Sequence, residues 1–438
     1  MSRLCFLWYN LVMKSKLPAG FVAAAVVSLA AFTCVAGELV ILQPTGEDAV
    51  WLMSKRKMDY LALPLAERVK KFADAGERGI LAAEPNAPTP VLVSWRWTAG
   101  EGETHPSFTV ALRRLAVDGA AVPVDFARAR ETYTFFDNLE IGTTYEVEVT
   151  AIAGGRRLAT ATRKFTTDAT APRLINVPGI PNVRDLGGRV GLDGKRMRQG
   201  LIYRTAGLND NPEDIDFLTW AQCRAEFEAG TLTNHPCWQA GHMAKIYRGE
   251  HDANDWHRVP IASDRGRERL TDAARKIMLD KLCIRTDLDL RGTGEVAGMK
   301  VSPLGDRVKW VNVAMTAYSG LEKPRGKELV KKCFDVFLDT DNYPIAFHCI
   351  GGQDRTGTLA FLIEALMGVD DDELNKDWEC SGFTNAGNWF RHETLFNQIY
   401  DAINKYPGAN TREKVEAYLK DCGVTDDDIA KLRGLLLE

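Results

Sequence analysis

Residues 344–367 read PIAFHCIGGQDRTGTLAFLIEALM. The segment begins with the short apolar run Ile345–Phe347, passes through a loop that contains glycine, and continues into a long apolar run. This order predicts a buried strand, a tight loop and the start of a helix. Such an arrangement turns backbone N–H groups and the positive end of the helix dipole toward a bound anion. We therefore expect an anion-binding site here, in a domain that alternates strands with helices.

The loop carries Cys349 and, six positions later, Arg355. A thiol at a helix N-terminus beside a fixed positive charge has a lowered pKa and can be thiolate at neutral pH. Cys349 is therefore the predicted nucleophile, and an inert buried thiol is the alternative. Backbone N–H groups of the loop can hold phosphoryl oxygens while the guanidinium of Arg355 grips two of them. The phosphate-binding residues predicted between these two are Ile350, Gly351, Gly352 and Gln353.

The pattern H-C-x-x-G-x-D-R-T-G at 348–357 resembles the signature of cysteine-dependent tyrosine and dual-specificity phosphatases. It is most similar to the bacterial tyrosine/lipid phosphatase branch, which carries an aspartate before the arginine. Four further pieces occur in that family's order and extend the resemblance over about 175–438. They are N-V-R-D-L-G-G at 182–188, Y-R-T-A at 203–206, D-L-R at 289–291 with Glu295 beyond, and the segment from Tyr418 to Gly434.

The resemblance implies roles for the residues beside the nucleophile. The matching histidine, His348, would hydrogen-bond the loop and help to set the thiolate pKa. Thr356 can donate its hydroxyl to the sulfur, or alternatively cap the helix N-terminus. Many relatives carry an acidic residue after the strand that corresponds to Val308–Val313, but 314–320 contain no carboxylate here. Asp354 is therefore the first candidate for the general acid, with a role as an acceptor for loop amides as its alternative.

Two further carboxylates, Asp185 and Asp289, are the second candidates for the acid. Arg184, Arg204 and Asp185 are predicted to line the substrate pocket, although structural ion pairs would equally explain the arginines. Gln353 stands where this branch commonly has lysine, which weakens the case for highly phosphorylated inositol lipids.

Composition restricts the class of protein. The 438 residues allow two or three domains, and 45% apolar residues are ordinary for a globular protein. A net charge of -4 does not favour a nucleic-acid partner. The predicted chemistry requires no metal and no organic cofactor.

Residues 1–36 resemble a secretory signal peptide, with lysines, an apolar run and small residues that end near Ala36. An uncleaved membrane anchor is the alternative. We therefore expect an exported protein, periplasmic or secreted. Two of the nine cysteines lie in this segment, so an odd number remains and at least one thiol is free. Cys333 lies on an apolar helical stripe and should be core, whereas Cys223 and Cys237 could form a disulfide.

Residues 37–87 form a lead-in with one expected helix, over Leu61–Phe72. From 88 to 168 the apolar period changes to two, which predicts a β-sandwich. The strands expected there are 91–97, 108–112, 132–136 and 145–150. Leu139–Ala151 resembles the late strands of a fibronectin type III domain. A module of this type suits contact with a protein or a glycan.

After a linker at 169–172, the phosphatase-like domain is expected over 172–438, with an insertion at about 207–265. The insertion is either a lid or a surface elaboration. Its His235, Cys237 and His242, with Cys223, match no trusted zinc spacing. Elsewhere the pattern predicts helices at 270–282 and 327–338 and strands at 284–290 and 308–313. These elements imply a mostly parallel central sheet covered by helices, with active residues at the carboxyl ends of the strands.

The predicted function is hydrolysis of phosphate monoesters through a cysteinyl-phosphate, with protein phosphotyrosine as the first substrate. Phosphoinositides or inositol phosphates are the second possibility. A catalytically silent phosphate-binding or adhesion protein is the third, although a binding module needs no nucleophile.

Overall fold

The computed structural model describes residues 37–73, 87–100, 105–116, 118–208, 229, 270–296, 299–383 and 392–438. Its N-terminal part holds seven strands that form two antiparallel sheets around one apolar core. One sheet has the order β1–β2–β5 and the other β4–β3–β6–β7. These strands are β1 (Glu38–Gln43), β2 (Val91–Thr98), β3 (Ser107–Leu115), β4 (Ala121–Ala129), β5 (Tyr133–Phe136), β6 (Thr144–Ala153) and β7 (Arg156–Thr166).

The period of two has the expected effect in this core. Val91, Val93 and Trp95 of β2 are buried, as are Val147 and Val149 of β6, while their neighbours are more exposed. Strand β4 was not predicted. It contains Pro123 and lies at the edge of its sheet, where proline is tolerated and where one face of the strand stays in solvent.

The predicted lead-in differs from the structure in two respects. Its first strand, β1, pairs with β2 and so belongs to the sandwich. Two helices replace the single expected one, namely α1 (Lys55–Leu61) and α2 (Leu65–Ala73). The expected helix over Leu61–Phe72 is wrong at its start because Pro64 cannot sit inside a helix, whereas it suits the position just before α2.

The C-terminal part contains a six-stranded sheet with the order β12–β11–β13–β10–β9–β8. The first four strands in this order are parallel, and the two short strands β9 and β8 are antiparallel. The mostly parallel sheet expected from the sequence is therefore present. The strands are β8 (Arg173–Leu174), β9 (Arg184–Asp185), β10 (Ile202–Thr205), β11 (Thr286–Asp289), β12 (Lys309–Asn312) and β13 (Ile345–His348).

Helices cover both faces of this sheet. Ile345 and Phe347 of β13 face one apolar cluster, and Ala346 between them faces another. The described helices are α3 (Asp272–Lys276, continued by a wider turn over Ile277–Lys281), α4 (Pro324–Leu338), α5 (Asp354–Leu366), α6 (Asp371–Cys380), α7 (His392–Ile403), α8 (Thr411–Asp421) and α9 (Asp426–Leu436). Helix α5 is buried from Thr356 to Leu366, which explains why it is apolar on all sides.

Some predictions concern residues outside the described ranges. The signal segment, most of the insertion, the Cys223–Cys237 pair and the weighed zinc ligands all lie there. Within the ranges given above, no helix is both long and apolar enough to cross a membrane. The same ranges contain no group of three or more potential metal ligands. Cys333 is a free, buried thiol of the core, as expected.

Candidate active site

Strand β13 ends at His348, and the loop 349–353 leads directly into α5. His348 pairs in register with Thr205 of β10 and Asp289 of β11. The loop therefore lies at the carboxyl ends of three parallel strands, where the sequence places it. Cys349, its first residue, is buried, with 2% of its surface exposed.

A glycine is required at position 352. Its φ is +65°, and an added Cβ would lie 2.4 Å from the carbonyl oxygen of Thr205. Gly351 differs, because an added Cβ there would meet nothing within 4 Å. Close backbone approach thus explains Gly352 and leaves the identity of residue 351 less constrained.

Donors from neighbouring segments of the chain bind the carbonyl oxygens of the loop. The amide of Asn182 donates to the carbonyl oxygens of Gly351 and Gly352, each at 3.0 Å. Arg204 Nη2 donates to Gly352 O at 2.7 Å, and the N–H of Gly207 donates to Ile350 O at 2.7 Å. The first N–H groups of α5 have no intrahelical acceptor, so they are suited to bind an anion.

Arg355 is held by Glu295 in a bidentate ion pair, with N–O distances of 2.5 Å and 2.9 Å. The hydrogen bond from Arg355 is the main cause that lowers the pKa of Glu295. The same bond raises the pKa of Arg355, and the nearby thiol of Cys349 raises it further. The guanidinium therefore lies beside the candidate nucleophile and is oriented by a carboxylate. Sequence reasoning noted Glu295 in the family pattern but not this pairing.

His348 is fully buried between carboxylates. Its Nε2 lies 2.9 Å from Asp287 Oδ1, and its Nδ1 lies 3.1 Å from the carbonyl oxygen of Cys349. Burial lowers the pKa of His348, but Asp287 and then Asp289 outweigh it, so the pKa is raised above its ordinary value. A protonated ring can donate to both acceptors at once. Asp287 was missed, because the segment 284–290 carries no local sign of the distant partner of this aspartate.

Asp354 is half-buried in the first turn of α5 and accepts a hydrogen bond from the hydroxyl of Tyr318. Tyr318 has a φ of +57° and packs edge-on against Trp378. Burial and the charge of Asp354 raise the pKa of Tyr318. The loop after β12, which contains no carboxylate, thus supplies a phenol to the candidate acid. Sequence reasoning also missed this residue.

Thr356 differs from both expectations. Its hydroxyl is buried and has no hydrogen-bond partner among the described residues, so it makes no hydrogen bond to the sulfur. It is the third residue of α5, and the capping position before the helix is occupied by Gln353. Of the other predicted loop residues, Ile350 is 45% exposed, Gly351 and Gln353 are half-buried, and Gly352 is buried.

The pocket roles predicted for Arg184, Asp185 and Arg204 are wrong, because all three are fully buried. Arg184 and Arg204 both pair with Asp377 of α6, and Arg184 Nε lies 2.7 Å from its Oδ1. Asp185 pairs with Arg173 at 2.8 Å. The structural ion pairs considered as the alternative are what the structure contains.

The two second candidates for the general acid are also enclosed. Asp185 accepts the N–H groups of Gly187 and Gly200, at 2.8 Å and 2.6 Å. Asp289 is buried and pairs with Arg291 at 2.7 Å. Neither carboxylate is accessible to a leaving group.

A sequence model described as the tyrosine phosphatase family matches residues 175–228 and 266–438, which is more than half of the chain. The chain belongs to the tyrosine phosphatase family. This membership makes it a tyrosine-phosphatase-like phosphoric monoester hydrolase. The interruption of the match, at 229–265, falls within the expected insertion.

No curated protein matches this phosphatase. Among solved structures, the core catalytic domain of the PP-IP phosphatase SIW14 from S. cerevisiae is 17% identical, with a TM-score of 0.23. The match covers 37% of this chain and 82% of that one. The twitchin kinase region from C. elegans is 27% identical over 21% of this chain and 15% of that one, with a TM-score of 0.15.

A β-glucuronidase from Ruminococcus gnavus is 18% identical over 34% of this phosphatase and 22% of that chain, with a TM-score of 0.14. The chain thus spans well under two thirds of the twitchin and glucuronidase structures. The family model, rather than these structural likenesses, carries the assignment.

Proposed function

We propose that this phosphatase hydrolyses phosphotyrosine in proteins through a phosphoryl group carried on Cys349. The observation that supports the proposal most directly is the position of the Cys349 thiol, beside the oriented guanidinium of Arg355 and before the N-terminus of α5. A thiolate nucleophile, a cationic fork and free N–H groups are the parts that phosphoryl transfer needs.

In the first step, the Cys349 thiolate attacks phosphorus, an S–P bond forms and the bond to the leaving oxygen breaks. Asp354 transfers its proton to that oxygen, so that the free hydroxyl product departs. In the second step, water attacks phosphorus, loses a proton to Asp354 and displaces the thiolate. The products are the tyrosine side chain and inorganic phosphate, and both catalytic side chains return to their starting states.

Positions around the thiol support these roles. Arg355 and the loop amides, including those of Ile350, Gly351, Gly352 and Gln353, would hold the phosphoryl oxygens. His348 would stabilise the loop through its hydrogen bond to the carbonyl oxygen of Cys349. The buried hydroxyl of Thr356 needs a partner, and the sulfur of Cys349 is the partner that the proposed mechanism assigns to it.

The exposed side chain of Ile350 and the ring of Tyr318 favour an aromatic substrate. Ile350 offers an apolar surface in the loop, and Tyr318 contacts the candidate acid. A phenyl ring gains from apolar and aromatic neighbours, whereas a densely charged inositol phosphate would gain little from them. Gln353 adds no positive charge for additional phosphates.

We further propose that the chain is exported through residues 1–36 and belongs to the bacterial tyrosine/lipid branch. The two antiparallel sheets, of three and four strands, support a fibronectin type III-like module over about 88–168, extended by β1. Such a module would contact a protein or a glycan near the substrate.

Phosphate release by the full chain tests the proposal, with Cys349→Ser as the inactive variant. The substrates are a phosphotyrosine peptide, a phosphoserine peptide, a phosphoinositide and inositol hexakisphosphate. Cys283→Ser is the matched control, because Cys283 is an exposed free thiol. We expect preference for the phosphotyrosine peptide and loss of turnover only in Cys349→Ser. Preference for either inositol compound would overturn the substrate, and turnover by Cys349→Ser would overturn the mechanism.

A further inference from the structure

Helix α6 contacts the arginines around the loop 349–353, called the phosphate loop below, on one side and the N-terminal helices on another. Asp377 and Glu379 are two positions apart, so they leave the helix in different directions. Asp377 faces the arginines around the loop, and Glu379 faces α1 and α2. Trp378, between them, packs on Gly357 of α5, where an added Cβ would lie 2.6 Å from the indole ring.

The contact on the N-terminal side is a buried arginine of α2. The side chain of Arg68 is 0% exposed. Its Nε donates to Glu379 Oε2 at 2.8 Å, and its Nη2 donates to Asp372 Oδ1 at 2.6 Å. The hydroxyl of Tyr60 in α1 donates to the same oxygen of Glu379 at 3.2 Å. Arg68 thus joins both ends of α6 to α2.

On the other side of α6, a series of hydrogen bonds connects Asp377 to the phosphate loop. Asp377 accepts from Arg204, which donates through its other amino group to the carbonyl oxygen of Gly352 at 2.7 Å. Asp377 also accepts from Arg184, which donates in turn to Asn182, the second residue that holds the Gly352 carbonyl. Every link from Asp377 to the carbonyl of Gly352 is a buried hydrogen bond or ion pair. Such bonds have few alternative arrangements, so a shift of α6 is transmitted rather than absorbed.

We infer that Arg68 is a positioning residue for the phosphate loop, acting through α6. It lies more than 100 positions before residue 175, where the family match begins, and between β1 and β2 of the β-sandwich in the chain. The α1–α2 segment would then be a working part of the phosphatase rather than a linker. The inference rests on the proposed function for its kinetic consequences, although phosphate binding tests it independently.

The experiment compares the full chain with Arg68→Met and Arg68→Lys. Methionine keeps the apolar stem and removes the fork, whereas lysine keeps the charge and can reach only one carboxylate. We expect Arg68→Met to weaken binding of inorganic phosphate and to lower kcat/KM by about 10- to 100-fold, the scale on which small misplacements act. Arg68→Lys should recover part of this loss. Each assay is run well below the melting temperature of the variant.

Two controls separate positioning from stability. Lys55→Met removes an exposed cation from α1 whose ion pair with Asp59 is superficial, and it should change neither readout. Val93→Ala removes buried volume from the sandwich core and should lower the melting temperature while kcat/KM is unchanged. An Arg68→Met chain that melts early but keeps wild-type phosphate affinity and kcat/KM would overturn the inference.

A double-mutant cycle tests the route. If Arg68 acts through the series that ends at Asn182, the combined Arg68→Met and Asn182→Ala chain should lose less than the product of the two single losses. Losses that multiply fully would overturn the inference. If Arg68→Met does not fold, Arg68→Lys supplies the same comparison. A wild type that binds phosphate in an Arg68-dependent manner without turnover would refute the proposed function alone.

Discussion

Loss of the negative charge of Asp377, in α6, should strongly destabilise the phosphatase part of the chain. Asp377 lies among the guanidiniums of Arg184, Arg189 and Arg204, and all four side chains are buried, with at most 3% exposed. The substitution Asp377→Asn keeps the shape of the side chain and removes its charge. Three buried cations then lose their shared counter-ion, and removal of one partner of a buried pair costs about 3–5 kcal/mol.

The retained amide oxygen of asparagine still accepts one hydrogen bond, so we expect a loss of stability near the lower figure. A loss of about 3 kcal/mol corresponds to a fall of roughly 6–12 °C in melting temperature for a unit of this size. The matched control is Asp335→Asn in α4, which removes an exposed carboxylate paired with Lys331 one turn away. Exposed pairs of this spacing contribute about 0.3–0.5 kcal/mol, so this variant should melt within roughly 2 °C of wild type.

Thermal unfolding followed by circular dichroism measures both variants. Burial raises the pKa of Asp377, but Arg184, Arg204 and Arg189 outweigh it and hold the pKa below its ordinary value of 3.8. The charge therefore stabilises the fold fully above that ordinary value and ceases to do so as the pH falls through the lower folded-state pKa. The part of the difference between wild type and Asp377→Asn that comes from this charge should be present above about pH 4 and shrink below it. Equal melting of Asp377→Asn and Asp335→Asn would refute the reasoning.

Three further changes test the site. Tyr318→Phe removes the hydroxyl that donates to Asp354, so kcat should fall, whereas a wild-type kcat would contradict the role of this contact. Gly352→Ala forces a Cβ to within 2.4 Å of a backbone carbonyl of β10, so inorganic phosphate binding should be lost, and calorimetry that shows wild-type affinity would refute the geometry. Asp287→Asn should lower the pKa of His348 toward its ordinary value of 6.5. The raised pKa stabilises the fold below pH 6.5, and this contribution disappears as the pH rises through the folded-state pKa. The variant should therefore lose more stability at pH 5.5 than at pH 9, and melting scans with equal losses at both pH values would contradict the prediction.

Local patterns were sufficient to predict the elements around the loop. Ile345–Phe347 is a short apolar run bounded by a proline and a glycine loop, and it forms β13. The apolar residues after Gly357 form a helix that is buried on all sides. The parallel sheet followed from the alternation of such runs, because parallel strands require crossovers between them.

The residues missed in the site share one property, since their partners are far away in the sequence. Asp287 contacts a histidine 61 positions away, and Asp377 contacts an arginine 173 positions away. A buried aspartate in a strand or helix carries no local sign of its counter-ion. The same reasoning explains the error for Arg184 and Arg204, whose side chains could have faced a pocket or a carboxylate with equal local plausibility.

The expected single helix in the lead-in failed for a local reason. The spacing of Leu61, Leu65, Val69 and Phe72 suits one apolar helical face, but Pro64 divides the run into α1 and α2. A proline inside a helical pattern should have taken precedence over the spacing. Strand β4 was not predicted because a strand with Pro123 and one solvated face lacks a clear alternation of apolar and polar residues.

The most direct test of the central claim is capture of the phosphoryl group on Cys349. The full chain is mixed with a phosphotyrosine peptide, quenched in acid within the first turnover, digested and measured by mass spectrometry. We predict that the peptide containing Cys349 gains the mass of one phosphoryl group, and that this gain is absent in Cys349→Ser and in samples without substrate. Turnover of the substrate in single-turnover conditions with an unmodified Cys349 peptide, or with the phosphoryl group on another residue, would contradict the account.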